Sequence, residues 1–333
     1  MISFDLLIAV SVLYVVFLFV VAFLAERAAQ KGGAAWLRSP LIYTLSLSIY
    51  CTAWTFYGAV GFAARSGLEF LTIYLGPTGV MIGWWLVLRK LVQIGRTERI
   101  TSIADLISSR FGKSGILGGI VTALAVIGTT PYIALQLQSV VLSLGVFAPD
   151  ADTGTQRAIA IWVAIGLAIF TIIFGTRNLD VNERHSGVVM AIAVEAIVKL
   201  VALLAVGAFV VWGVAGGIGN VLDSIDASPI ARWDVSSARW IGLTFLSAAA
   251  FLCLPRMFQV LVVENSDDRH LAVAGWAFPL YLLAMSLFVV PIAVVGLELM
   301  PAGSNPDLFV LTIPLAFDQD FLAMFAFLGG FSS

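Results

Sequence analysis

Long apolar stretches, each separated from the next by a short polar segment, follow one another along the whole chain. A helix that crosses a membrane needs about 20 mostly apolar residues, and this length predicts about nine spanning helices. Their bounds are residues 5–25, 41–64, 69–94, 116–147, 158–175, 186–215, 239–263, 271–298 and 319–333. The pattern therefore predicts an all-α, polytopic (multi-pass) membrane protein.

Prolines stand inside four of these stretches, among them the fourth and the eighth. Pro131 lies in 116–147, and Pro279 and Pro291 lie in 271–298. Proline lacks a backbone N–H and its ring clashes with the preceding turn, so it kinks or breaks a helix. We therefore expect the fourth helix to be interrupted at Pro131.

The composition agrees with a membrane protein. Apolar residues make up 60% of the chain, charged residues make up 11%, and the mean hydropathy is +1.02. A soluble domain carries roughly 25% charged residues, so the surroundings predicted for this chain are membrane lipid. The net charge of −2 provides no basic surface, and we expect no nucleic-acid partner. The two cysteines, Cys51 and Cys253, indicate neither a disulfide framework nor a metal cluster.

Lysine and arginine concentrate in the loops that follow odd-numbered spans. We count Arg256 among these loop cations. Positively charged loops stay in the cytoplasm, so this bias places the N-terminus outside. The first apolar run is too long for a signal peptide and is interpreted as a retained span. Two loops are long enough for short helices, one capped by Ser102 and an amphipathic one within 218–237.

Patterns for catalysis or nucleotide binding are missing from the sequence. The Gly-Lys-Ser run at 112–114 has Ile107 where a phosphate-binding loop needs glycine. His185 and His270 have no partners at metal-binding spacing. The residues therefore predict no catalytic domain and no metal site within this chain.

Two charged residues lie deep in the sixth span. Glu195 and Lys199 are four residues apart, so they share one face of a helix, with the acid on the N-terminal side. A lone charge is expensive in hydrocarbon, and this spacing predicts an intramembrane ion pair. The pair would serve either helix packing or a transport path, and both interpretations stay open.

The second span is rich in hydroxyl groups. They belong to Thr44, Ser46, Ser48, Thr52 and Thr55. Such hydroxyls replace backbone hydrogen bonds where a helix unwinds, and unwound helices expose carbonyls to a cation or a substrate ammonium group. The alternative is close packing of helices through small residues.

Two further spans carry polar groups. Gln136 and Gln138 follow Pro131 and suit either the wall of a cavity or hydrogen bonds between helices. The ninth span ends in two glycines followed by Ser332 and Ser333. This small-residue end allows close backbone approach and offers hydroxyls for a cation.

The order of the spans, the run RTERITSIADLISSRFGKSG after the third span and the small-residue end of the ninth resemble the sodium/solute symporter family. The resemblance implies the inverted-repeat, LeuT-like fold of sodium-coupled transporters. The resemblance covers residues 1–333. It implies a peripheral first span and loop at 1–40 and a first five-helix repeat at 41–215. It also implies a partial second repeat at 239–333, which stops in its third helix.

Four longer runs resemble one branch more closely. They are SLSIYCTAWTFYGAVGFAARSG, TTPYIALQLQSV, NERHSGVVMAIAVEAIVKLVAL and FLCLPRMFQVLVVENSDDRHLAVAGWAFPLYL. They are similar to the transporter-like N-terminal module of CbrA-type bacterial hybrid sensor histidine kinases. This resemblance implies a multi-pass location in the bacterial inner membrane. It also implies a small solute as ligand, an amino acid such as histidine, and a response regulator reached through kinase domains outside this chain. The alternative is a stand-alone secondary symporter driven by sodium or protons.

The family's sodium site implies a set of residues here. Aligning Trp54 and Gly58 with the family's W-x-x-x-G places Ile49 and Thr52 near the carbonyl positions of a sodium ion. The hydroxyls of Ser332 and Ser333 would complete the site, with no other cofactor implied.

One departure from the family concerns Tyr50. The proline-symporter branch has an aspartate in this stretch, and its loss weakens the case for tight sodium binding. We interpret Tyr50, Trp54 and Tyr57, together with Gln136, as groups that face the substrate.

Overall fold

The structure of the protein is a computed structural model that describes residues 3–31, 35–148, 153–175, 186–232, 236–265 and 267–333. Every regular element in these residues is a helix. The α-helices are α1 Phe4–Gln30, α2 Pro40–Ser46, α3 Ala53–Ser66, α4 Thr72–Ile82, α5 Leu88–Thr97, α6 Ile103–Arg110, α7 Gly115–Gly145, α8 Thr153–Gly175, α9 Ser186–Ala208, α10 Ile218–Ala227, α11 Ser237–Cys253, α12 Pro255–Phe258, α13 Asp268–Ser286, α14 Val289–Leu299, α15 Phe309–Ala316 and α16 Asp320–Phe331.

Four stretches of the described chain are long and apolar enough to cross a membrane. They are Phe4–Gln30, Gly115–Gly145, Gly187–Val214 and Asp268–Leu299. A fifth is formed by α11 and the helix that follows it, if this pair, bent by 59°, counts as one span. These five correspond to the first, fourth, sixth, eighth and seventh predicted spans. An all-helical membrane protein is thus compatible with the structure, and the number of nine crossings stays a prediction.

The other predicted spans are divided or short. The second is divided into α2 and α3, and the third into α4 and α5. The fifth lies within α8, and the ninth is the 12-residue helix α16. Many large apolar side chains point away from the protein, among them Val12, Ile127 and Phe245. A surface of this kind suits lipid rather than water.

The short helices expected in the loops are present. Ser102 accepts a hydrogen bond from the backbone N–H of Asp105 at 3.1 Å and so caps α6. The amphipathic segment expected in 218–237 contains α10. Both predictions are confirmed.

The helix α7 runs without interruption from Gly115 to Gly145, so the prediction that Pro131 breaks the fourth span is wrong. Proline removes only the hydrogen bond that its own N–H would donate, and the turns on either side keep theirs. The hydroxyls of Thr129 and Thr130, just before the proline, each donate to a carbonyl one turn earlier at 2.7 Å.

One large buried cluster joins most of the helices and includes one face of α9. The helix α9 packs against α1, α2 and α16, while α3 packs against α7, α14 and α16. The divided second span therefore lies in the interior, between α9 and α7. This position brings polar groups of three helices to the point where α2 ends and α3 begins.

The helices α4 and α11 pack closely against each other at Gly76. A Cβ at Gly76 would lie 2.5 Å from the backbone nitrogen of Ala248 and 2.6 Å from the carbonyl oxygen of Thr244. Backbone atoms cannot move aside as a flexible side chain can. Glycine at this position therefore sets the distance between the two helices.

We expect Gly76→Ala to destabilise the protein by about 1–3 kcal/mol, because the added methyl group forces α4 and α11 apart. Gly79→Ala on the same helix is the matched control, since a Cβ there meets nothing within 4 Å. Thermal unfolding in detergent micelles measures both variants. Equal unfolding temperatures for the two would contradict the packing described here.

Candidate functional site

The second predicted span is broken between α2 and α3, and we call this point the first helix break. The 3₁₀ turn Leu47–Tyr50 continues α2, and the backbone is then extended at Cys51 (ψ 97°) and Thr52 (ψ 177°). The helix resumes at Ala53. Carbonyls before such a break lose their helical N–H partners and need other donors.

Lys199 supplies these donors from α9. Its ammonium nitrogen lies 2.7 Å from the carbonyl oxygen of Cys51 and 3.4 Å from that of Ser48. It also lies 2.7 Å from a carboxylate oxygen of Glu195. The Lys199 side chain is 0% exposed, whereas that of Glu195 is 16% exposed. The ion pair predicted from the sequence is thus part of a larger contact, which ties α9 to the first helix break.

Small residues bring α16 against the other side of α9. A Cβ at Gly329 would lie 2.9 Å from the Cβ of Ala202 and 3.3 Å from the Cα of Lys199. The glycines near the end of the ninth predicted span therefore let its backbone pass directly behind Lys199. This contact fixes the level of Lys199 relative to α16.

A second helix break divides the seventh predicted span. Leu254 has extended backbone (ψ 130°) between α11 and α12, and Pro255 follows it. Arg256, the next residue, donates a hydrogen bond from Nη2 to the hydroxyl of Tyr132 on α7. The Tyr132 hydroxyl in turn lies 3.4 Å from the hydroxyl of Thr52. This chain of contacts joins the second helix break to the first.

Arg256 has no carboxylate partner among the described residues, and its Nε is buried without a hydrogen-bond partner. Its guanidinium carbon lies 4.8 Å from the centroid of the Tyr132 ring, a cation–π distance. Arg256 is half-buried, and a guanidinium at this depth usually has a counter-ion. The second helix break therefore carries a positive charge that is not neutralised by a salt bridge.

Gln136, one turn after Tyr132 on α7, caps the start of α3. Its side-chain oxygen accepts a hydrogen bond from the backbone N–H of Trp54 at 2.9 Å. Its amide nitrogen is buried and has no partner. Gln138, by contrast, is exposed. Gln136 and Trp54, both predicted to face the substrate, thus meet at the first helix break.

The two predicted tyrosines have other partners. Tyr50 donates to the carbonyl of Ile73 at 2.7 Å, and Tyr57 donates to the carbonyl of Phe327 at 3.3 Å. Both side chains are buried, so their hydroxyls stabilise contacts between helices. Their assignment to the substrate stays a prediction.

The predicted hydroxyl ligands of sodium have other hydrogen-bond partners, and their assignment to a cation stays a prediction. Ser332 accepts a hydrogen bond from the hydroxyl of Tyr14 at 3.3 Å, and Ser333 donates to the carbonyl of its own helix at 2.5 Å. The carbonyls that contact the Lys199 ammonium group belong to Ser48 and Cys51, the residues just before Ile49 and Thr52. The described residues contain no group of three or more His, Cys, Asp and Glu able to hold a metal ion.

Sequence reasoning missed the role of Arg256, which we counted among the loop cations. The signal was present, because Arg256 follows a proline inside the apolar stretch 239–263. A proline and a charge at adjacent positions within a span indicate a broken helix rather than a loop. Its partner Tyr132 is 124 residues away, and no local pattern predicts that contact.

No family model, no curated protein and no solved structure matches this chain. The function is therefore proposed from the geometry of the two helix breaks.

We expect Gln136→Ala to destabilise the protein by about 1 kcal/mol, because the N-terminus of α3 loses its acceptor. Gln138→Ala, two residues along the same helix, should leave stability unchanged. Thermal unfolding in detergent compares the two variants. If Gln136→Ala were as stable as the control, the capping role would be wrong.

Proposed function

We propose that this chain is the transmembrane solute-binding module of a transporter-like sensor, with the LeuT-like inverted-repeat fold in a bacterial inner membrane. Its ligand is a small solute with a carboxylate group, an amino acid such as histidine. The observation that carries the proposal is the pair of broken helices, which meet through Thr52, Tyr132 and Arg256.

The positions of the two breaks support this fold. One divides the first helix of the proposed repeat 41–215, and the other divides the first helix of the proposed repeat 239–333. In inverted-repeat transporters, discontinuous helices at equivalent positions of the two repeats form the binding site. A helical protein that served only as an anchor would have no need for two internal breaks in contact with each other.

The charges near the breaks favour an anionic group on the solute. Glu195 forms an ion pair with Lys199, and among the described residues no carboxylate forms a salt bridge with the guanidinium of Arg256. A carboxylate matches the fork of donors on arginine and makes short, charge-assisted hydrogen bonds. The free amide nitrogen of Gln136 offers one more donor on the same side of α7.

Signalling would follow from unequal binding to two states of the helix bundle. A ligand shifts an equilibrium only as far as it binds one state more tightly than the other. A solute held by residues of both breaks would favour the arrangement in which the breaks are close. In a longer sensor, that shift would act on kinase domains outside this chain; in a symporter, it would open the other side.

We expect histidine to raise the unfolding temperature of the protein in detergent, and histamine, which lacks the carboxylate, to have no effect. Arg256→Gln should weaken histidine binding about 10–100-fold, because a charge-assisted hydrogen bond contributes about 1.5–3 kcal/mol. Arg89→Gln, a change of an exposed arginine on α5, is the control. Binding by Arg256→Gln as tight as that by the control would remove Arg256 from the site.

Uptake of radiolabelled histidine and proline into liposomes that hold the protein distinguishes the two kinds of module. Accumulation driven by an ion gradient would establish a working symporter. Binding without uptake would mean that the fold serves as a receptor. A protein that neither binds nor accumulates a carboxylate-bearing amino acid would contradict the proposed function.

A further inference from the structure

We propose that the ammonium group of Lys199 is the resident cation of the first helix break, so that the chain itself fills the place where a sodium ion would bind. The module then works without sodium. This inference rests on the proposed function for its biological meaning, but not for its geometry.

The oxygen atoms around Lys199 form a complete set for one cation. Two are backbone carbonyls, of Cys51 at 2.7 Å and of Ser48 at 3.4 Å, and the third is the Glu195 carboxylate at 2.7 Å. Unwound carbonyls with a nearby acid are also the ligands that a sodium ion takes in discontinuous helices. An ammonium group has three N–H donors, and each has an acceptor here.

A second cation cannot share these oxygens. The Lys199 side chain is fully buried, and a sodium ion in contact with the Cys51 carbonyl would lie within a few ångströms of the ammonium charge. Repulsion between like charges is strong at this distance when water is excluded. Sodium binding at the first helix break would require Lys199 to leave or to lose its proton.

A pair that served only packing would be satisfied by Glu195 and Lys199 alone, since they lie on one turn of α9. The ammonium instead also donates to backbone carbonyls of a different helix, at the point where that helix is extended. Lys199 therefore stabilises the open backbone itself, which is the part of a discontinuous helix that moves or binds ligands.

The test compares unfolding temperatures in sodium chloride and in choline chloride of equal ionic strength, without solute. The wild-type protein should unfold at the same temperature in both salts. Lys199→Ala should gain a sodium response, because its two carbonyls and Glu195 become free for the ion. The gain should be about 5 °C at a sodium concentration about 100-fold above its dissociation constant.

Two variants serve as controls. Lys90→Ala removes an exposed lysine on α5 and should show no sodium response. Glu195→Ala combined with Lys199→Ala removes the acid as well, and should lose most of the gained response. If Lys199→Ala does not fold, Lys199→Met replaces it, since methionine fills much of the same volume and has neither a charge nor a donor that would occupy the Cys51 carbonyl.

A sodium response in the wild-type protein would overturn the inference. So would the lack of a sodium response in the folded Lys199 variant, because the oxygens would then not form a cation site. Histidine binding in choline chloride tests the proposed function separately. If the wild-type protein binds histidine and its unfolding temperature responds to sodium, this inference alone is rejected. If the Lys199 variant gains a sodium response but the protein does not bind histidine, the proposed function alone is rejected.

Discussion

An apolar interior cannot leave backbone carbonyls without donors, and the first helix break exposes such a carbonyl at Cys51, next to that of Ser48, which also accepts from the Cys51 N–H at 2.8 Å. One buried ammonium group meets this need while its own charge is balanced by Glu195. The packing around it follows from this requirement. The helix α9 must keep Lys199 level with the break, so α16 approaches α9 closely behind Lys199, where Gly329 leaves room. Removal of Glu195 would leave the buried ammonium charge without its counter-charge.

The helix α7 connects this arrangement to the second helix break. Tyr132 contacts both Thr52 and Arg256, and Gln136, one turn later, caps the helix that begins after the first break. A shift of α7 would therefore change contacts at both breaks at once. Because two discontinuous helices share one wall, a ligand bound between them can act on the whole bundle through few contacts.

The sequence predicts the helices better than their interruptions. The apolar stretches and the four-residue spacing of Glu195 and Lys199 are local patterns, so the sequence alone predicts them. The end of α2 near Tyr50 cannot, because the break is stabilised by a lysine 148 residues further along the chain. Pro131 shows the reverse error, since a proline was expected to break a helix whose other hydrogen bonds hold it together. Arg256 was assigned to a loop because its only described hydrogen-bond partner, Tyr132, is remote in sequence.

Tyr50 and Lys199 together explain the departure from the sodium/solute symporters that the sequence resembles. The proline-symporter branch has an aspartate where this chain has Tyr50, and the Tyr50 hydroxyl is engaged by the carbonyl of Ile73. A carboxylate at this level attracts a diffusible cation, whereas an ammonium repels one. The chain lacks the first group and has the second, and this difference is the basis of our inference that the first helix break works without sodium.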